Sequence, residues 1–272
     1  MPEAVFYCTS HGGPFYNMAF DEWLYCRALA LPATVFLRLY TWRPGTITFG
    51  VNQRQQTALN FGRLGETPVV RRITGGRALY HDPSELTYAI AVNAERLDVP
   101  GLSGSLSETS RTIALALGSF LETFSIETSY VQKSSPADMK PEYFHKAPCF
   151  ASAARHELMA GDRKVVASAQ KRLGTSLLQH GSMKINGVVS HPALAGIGDR
   201  LDSSVQAIDT KALKEFAESF RVSMGKSLGL EFRLCDLTEH EMREVDVRAT
   251  QVEKNALSKR VIVAQNDSAA SL

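Results

Sequence analysis

Two short apolar runs, Val69-Val70 and Leu86 to Val92, bracket the stretch Arg71-Arg72-Ile73-Thr74-Gly75-Gly76-Arg77-Ala78-Leu79-Tyr80-His81-Asp82, and this bracket constrains the fold more than any other part of the chain. Runs this short and rich in β-branched residues read as buried strands, which leaves the arginines, the histidine and the paired glycines on a loop. Glycine at 75 and 76 removes the Cβ atoms that would keep a ligand off the backbone, so successive N–H groups can face an anionic or carbonyl oxygen. Arg71, Arg72 and Arg77 supply planar, permanently charged forks suited to phosphate or carboxylate. A second reading stays open: Gly75-Gly76 is a hairpin turn with arginines on its solvated flanks.

The remaining pattern is that of an α/β chain. Val5 to Cys8 reads as a strand, His11-Gly12-Gly13-Pro14 as a turn, and about Asn17 to Ala30 as a helix whose apolar residues keep no single face, as in a largely covered helix. Thr34 to Tyr40 and Thr46 to Gly50 read as two strands of a hairpin broken at Trp42-Arg43-Pro44-Gly45. Ser105-Leu106-Ser107-Glu108 fits a capping box opening a helix to about Phe124. Ile126 to Val131 reads as a strand, and Gln132 to Lys146 as a polar loop. From Arg155 the chain reads as a β-meander with tight turns at Gly161-Asp162 and Gly174, through Arg163 to Arg172 and Thr175 to Ile185. Helices are expected from Thr210 to Met224 and from Thr238 to about Lys254, then a frayed tail over 261–272. The expected fold is thus α/β of the α+β type, a mixed and largely antiparallel sheet flanked by helices, in one domain over residues 1–260.

Composition narrows the function classes. A net charge of +2 gives no global push toward nucleic acid or a membrane surface, so neither is an expected partner. No stretch approaches the apolar length of a membrane span, and Met1-Pro2-Glu3 opens no export signal, which places the chain in the cytoplasm. Cys8, Cys26, Cys149 and Cys235 lie far apart without paired spacing, against both a zinc site and a disulfide framework, and no metal is expected.

The candidate chemistry lies among Cys149, Lys164, His81, His180 and the arginines. Cys8, Cys26 and Cys235 sit among apolar neighbours and read as small buried hydrophobes. Cys149 follows a polar, proline-bearing loop beside His145 and Lys146, cationic neighbours that lower a thiol pKa, so it reads either as an inert thiol or as a nucleophile. His180 reads as a satisfied core imidazole or as a site residue. Lys164 stands in the small, apolar strand Val165-Val166-Ala167-Ser168-Ala169, where a lysine either reaches back to water or holds an anionic or carbonyl group.

The Arg71 to Asp82 stretch with Glu85-Leu86-Thr87-Tyr88, then Cys149-Phe150, then Gly161-Asp162-Arg163-Lys164-Val165-Val166-Ala167-Ser168-Ala169-Gln170, then Gln179-His180-Gly181-Ser182, resembles the biotin/lipoate protein ligase superfamily. The resemblance runs in order from about Asn17 to about Lys184. Within the superfamily it is closest to the cysteine-dependent octanoyltransferases of lipoate synthesis. The Cys-Phe pair, Thr-Gly-Gly-Arg where ligases more often carry Ser-Gly-Gly-Gly, and the absence of the second domain of long ligases point that way.

This resemblance implies that Cys149 takes octanoyl from octanoyl-acyl carrier protein as a thioester. A lysine of a lipoyl-domain protein or glycine-cleavage H protein then receives it as an amide. It implies Lys164 at the acyl carbonyl and in proton transfer, and Arg72, Thr74, Gly75, Gly76, Arg77, His81, Ala167, Ser168, Ala169, His180 and Gly181 around the acyl chain. Burying the chain's methylenes at about 0.8 kcal/mol each supplies several kcal/mol of binding. Lys133, Lys140 and Lys146 either steer an acidic carrier face or belong to an ordinary solvated loop. The expected enzyme is a monomer without a cofactor.

A straight strand over 150–160 would put Lys164 opposite Met159 and Cys149 about 33 Å from there at strand rise, so Ala151-Ser152-Ala153-Ala154 must fold back. Three alternatives remain at this level. One is an ATP- and magnesium-dependent lipoate ligase with Arg71, Arg77 and Lys164 on the acyl-adenylate, another a lipoyl amidotransferase, and the last a non-catalytic lipoyl-domain binder.

Overall fold

The β-branched and aromatic runs pair into two sheets in the computed structural model, which describes residues 2–54, 59–131, 157–186, 191, 193–194 and 206–269. Among these residues the strands are β1 (Glu3–Gly12), β2 (Thr34–Trp42), β3 (Thr46–Phe49), β4 (Val69–Arg71), β5 (Leu79–His81), β6 (Leu86–Asn93), β7 (Ser129–Tyr130), β8 (Leu158–Ala160), β9 (Arg163–Leu173), β10 (Ser176–Met183) and β11 (Arg233–Leu234). The large sheet has the order β11-β1-β2-β6-β10-β9-β8-β7, and a small sheet has the order β4-β3-β5. Pairing in the large sheet is antiparallel except where β1 meets β2 and β11. The mixed, largely antiparallel sheet is the one expected.

Four helices complete the described fold: α1 (Pro14–Ala30), α2 (Leu106–Glu122), α3 (Thr210–Leu228) and α4 (Glu239–Ala269). Ser105 caps α2 by the reciprocal bonds the sequence predicts, its hydroxyl accepting from Glu108 N while Glu108 Oε2 accepts from Ser105 N. The last helix runs to Ala269, past residue 260, where composition suggests fraying.

Both faces of the large sheet are covered, and β2 shows it by alternation. Val35, Leu37 and Leu39 join the core under α2 and α3, with Leu117, Phe120 and Phe220. Phe36, Tyr40 and Trp42 join the core under α1, with Phe20, Trp23 and Leu24. Ala89 and Ala91 of β6 are small on the α1 side and so let that helix lie close to the sheet. The other side of α1 is covered by α4, where Val245 is fully buried and Trp23 Nε1 donates to Glu244 Oε2 at 2.8 Å. That explains why α1 keeps no single apolar stripe.

The expected hairpin between Thr34–Tyr40 and Thr46–Gly50 does not form. β3 leaves the large sheet and pairs with β4 in parallel and β5 antiparallel. Nothing in a period-two pattern tells a strand which neighbour to take. Since β4 and β5 pair with β3 and not with each other, Gly75-Gly76 is not a hairpin turn but a loop crossing the end of the small sheet. The strand expected over Ile126–Val131 shortens to Ser129–Tyr130.

Candidate active site

A pocket opens where the small sheet meets the α1 side of the large one. Met18, Tyr40, Thr48, Arg72, Gly76, Leu79, His81, Thr87, Ala167, Ser168, Ala169, His180, Gly181 and Ser182 line it. Arg72, Gly76, His81, Ala167, Ser168, Ala169, His180 and Gly181 were all expected from the sequence, and the fold brings them together. The pairing of β9 with β10 sets Ala169 opposite His180 and Ala167 opposite Ser182, so one strand gives small side chains and the other polar ones to the same wall. Gly181 permits this pairing, because a Cβ there would stand 2.6 Å from the Ala167 carbonyl oxygen and 2.8 Å from the Tyr88 ring.

The loop is shaped by its own arginines. Arg72 is buried, and its guanidinium donates to the carbonyls of Gly75 at 2.8 Å and Arg77 at 2.8 Å and to Thr48 Oγ1 at 3.0 Å. Arg71 donates to the carbonyls of Gly50, Val51 and Gln53 at 2.7–3.1 Å. Gly76 adopts φ +89°, a backbone conformation that favours glycine. Arg72 thus holds the loop in place and Arg71 the neighbouring Gly50–Gln53 segment, roles the sequence did not suggest. Thr74, Gly75 and Arg77 belong to the same loop but lie outside the pocket lining.

Two imidazoles form the polar part of the wall. His180 Nδ1 is 2.8 Å from Asp21 Oδ2 and its Nε2 is 2.6 Å from Thr74 Oγ1. Asp21 also accepts from Arg38 Nη1 and Tyr40 OH, each at 2.8 Å. The Arg38 guanidinium lies over the rings of Phe20 and Tyr40 at 4.2 and 3.8 Å. His180 is therefore both a fully bonded core imidazole and a pocket residue; the two sequence readings were not exclusive.

His81 stacks on Trp42 with centroids 4.2 Å apart. Its Nδ1 donates to Glu85 Oε1 at 2.6 Å and its Nε2 accepts from Thr48 Oγ1 at 2.9 Å, a tautomer assigned from this network. Burial pulls the His81 pKa below its ordinary value against the pull of Glu85, which keeps the ring neutral. Glu85 is wholly buried; burial works to raise its pKa, but the Lys184 ammonium and His81 outweigh that and hold it at about 2. Lys184 also donates to Asp82 Oδ2 at 2.6 Å and to the Tyr80 carbonyl at 3.1 Å. Burial opposes the Lys184 charge, yet Glu85 and Asp82 raise its pKa overall.

Lys164 stands opposite Met159, as expected, but Leu158 stands opposite Val166, so Val165 is the extra residue of a β-bulge. Val165 and Val166 both pack into the core under α2 and α3. Alternation resumes one residue late, which turns Lys164 toward the face of Ala167 and Ala169. Its side chain does not reach water; it is buried, and Nζ donates to Glu157 Oε1 at 2.6 Å.

Cys149 and Phe150, His145, the lysines 133, 140 and 146, and Ala151-Ser152-Ala153-Ala154 lie outside the described residues. Cys8, Cys26 and Cys235 are half-buried rather than buried. Burial still pushes the Cys8 thiol up to about 11 and raises that of Cys235, which blunts both as nucleophiles. Asp21, Arg38, Tyr40, Thr48, Thr87, Glu157, Lys184 and Ser182 are the site residues that sequence reasoning gave no role. One signal was available: Arg38 interrupts the apolar run Thr34–Tyr40, and a buried arginine calls for a buried partner such as a carboxylate.

The model of the lipoyl protein ligase A/B catalytic domain matches residues 13–227. Among curated relatives, an octanoyltransferase LipM of Staphylococcus aureus is 28% identical over 263 residues, covering 88% of this chain and 91% of its own. An octanoyltransferase LipM of Symbiobacterium thermophilum is 31% identical, covering 87% and 90% respectively. Among solved structures, a lipoate-protein ligase A bound with ATP superposes with a TM-score of 0.66 at 17% identity, over 91% of this chain and 94% of that one. A putative lipoate protein ligase of T. acidophilum with bound lipoic acid does so with the same score and identity, over 90% and 93%. Likeness at that identity carries the fold alone.

Proposed function

The chain belongs to the lipoyl protein ligase A/B catalytic-domain family, and on that premise we propose that it is an octanoyltransferase of lipoate biosynthesis. Its donor is octanoyl-acyl carrier protein, its acceptor a lysine of a lipoyl-domain or glycine-cleavage H protein, and it requires no ATP. The Cys149 thiolate attacks the thioester carbonyl carbon, a new C–S bond forms, and the carrier thiol leaves with a proton. The acceptor amine then attacks the enzyme thioester, forming the amide C–N bond, and Cys149 is released as its thiol. Lys164, turned toward the pocket side by the bulge, stabilises charge on the carbonyl oxygen and relays protons.

The observation that carries this reading is the character of the pocket wall. Its polar side chains are bonded largely to one another, and Met18, Leu79, Gly76, Ala167 and Ala169 leave an apolar surface suited to a saturated chain. The relatives named octanoyltransferase support the same substrate. Arg71, which the ligase alternative would turn to the acyl-adenylate, spends its Nη1 on the carbonyls of Gly50, Val51 and Gln53.

Transfer from octanoyl-acyl carrier protein to a lipoyl domain, assayed with and without ATP and magnesium, tests the proposal. The wild-type protein should transfer without ATP, whereas Cys149→Ser should keep its fold and lose transfer by several orders of magnitude. Lys164→Ala should be severely impaired while Cys149 still reacts slowly with an alkylator. Transfer that appears only with ATP would make the protein a ligase instead.

A further inference from the structure

Ser182 is wholly buried, lines the pocket, and its Oγ has no hydrogen-bond partner. The other polar side chains around the pocket differ. His81 and His180 are bonded at both ring nitrogens. Thr87 accepts from Trp42 Nε1 and donates to Glu85, and Ser168 pairs with the Tyr88 hydroxyl. Leaving a buried hydroxyl unsatisfied costs free energy that folds rarely tolerate without a ligand or water to complete it.

From this contrast we propose that Ser182 is a positioning residue for the acyl carbonyl, its hydroxyl donating a hydrogen bond to the carbonyl oxygen of the bound acyl group. A saturated acyl chain has polar character only at its carbonyl end. Among the described residues of the wall Ser182 is the one vacant polar partner, so it marks where that end lies and sends the methylenes toward the rest of the pocket. The placement agrees with the β-sheet register. Ser182 stands opposite Ala167, and Lys164 lies three residues further along the same strand, about 10 Å at strand rise, turned toward the same face by the bulge. The Ser182 hydroxyl and the Lys164 ammonium would approach the carbonyl from neighbouring positions, one donor neutral and one charged.

This inference rests on the acyl-pocket reading above, and its test separates the two. The probes are a ketone in which a methylene replaces the sulfur of an octanoyl thioester, and its carbonyl-free counterpart, both carried on the same polar tail and neither able to acylate the protein. Calorimetry should give the wild-type protein at least a tenfold preference for the ketone, one hydrogen bond to its carbonyl being worth about tenfold. Ser182→Ala should keep the wild-type affinity for the carbonyl-free probe and bind the ketone about tenfold more weakly than the wild-type protein does, with Lys164 still facing the carbonyl. Without ligand, Ser182→Ala should melt at or above the wild-type temperature, because it removes an unsatisfied group. A Ser182→Ala protein that binds the ketone as tightly as the wild-type protein, or a clear fall in its melting temperature, overturns the assignment and leaves the acyl pocket standing. Failure of the wild-type protein to bind either probe overturns both.

Discussion

Glu85 shows how far a single side chain's charge state is set by its neighbours. Its pKa of about 2 against an ordinary 4.5 means that the folded chain holds the carboxylate where the unfolded chain would take a proton. The sign follows: the stabilisation is present above pH 4.5 and is lost as pH falls toward 2, on the order of 3 kcal/mol in all. His81 acts in the same direction at a higher pH. Its lowered pKa means that protonation of the unfolded chain near 6.5 begins to cost stability as pH falls. Urea unfolding at pH 7, 4.5 and 3 should show wild-type stability dropping over both intervals. Glu85→Gln should start lower at pH 7, because Lys184 loses one of its two carboxylates, and should fall less between 4.5 and 3. Parallel losses in the two proteins over that last interval would contradict the assignment. At this scale the family resemblance, through its ordered motifs, pointed to His81, His180 and the small residues of β9, which the fold brings to one pocket. The partners Asp21, Lys184 and Glu157 were not legible, since they act through pairings across distant segments.

Local pattern identified most elements and missed two connections between them. The capping box at Ser105 and the turns at Gly161 and Gly174 are written in a few adjacent residues and were read from them. That β3 deserts β2 for β4 and β5 is a choice among distant partners that alternation does not encode. The bulge at Val165 is likewise invisible in sequence, since Val165-Val166 continues the strand's composition while shifting its faces by one residue. Gly181 tests how tightly β9 and β10 must approach to form the pocket wall. Gly181→Ala puts a methyl into the Ala167 carbonyl and the Tyr88 ring, and should cost roughly 1–3 kcal/mol in a denaturant titration as well as impairing acyl transfer. A variant of unchanged stability would mean that the two strands yield more easily than their register suggests.

For the whole molecule, the order of motifs along the chain was the most legible feature: residues as far apart as Asp21 and His180, 159 positions, meet because separated segments fold onto one wall. What sequence and fold leave to chemistry is whether that wall delivers an acyl group to Cys149. Three half-buried cysteines provide the internal control, two of them with raised thiol pKa values. The most direct measurement is the intact mass of the protein after incubation with octanoyl-acyl carrier protein in the absence of ATP, with the modified residue located by peptide mapping. The account predicts a mass increase of one octanoyl group, labile to hydroxylamine, confined to Cys149 and missing from Cys149→Ser. A protein that gains no octanoyl group without ATP, or one whose Cys149→Ser form gains it as readily, would contradict the account.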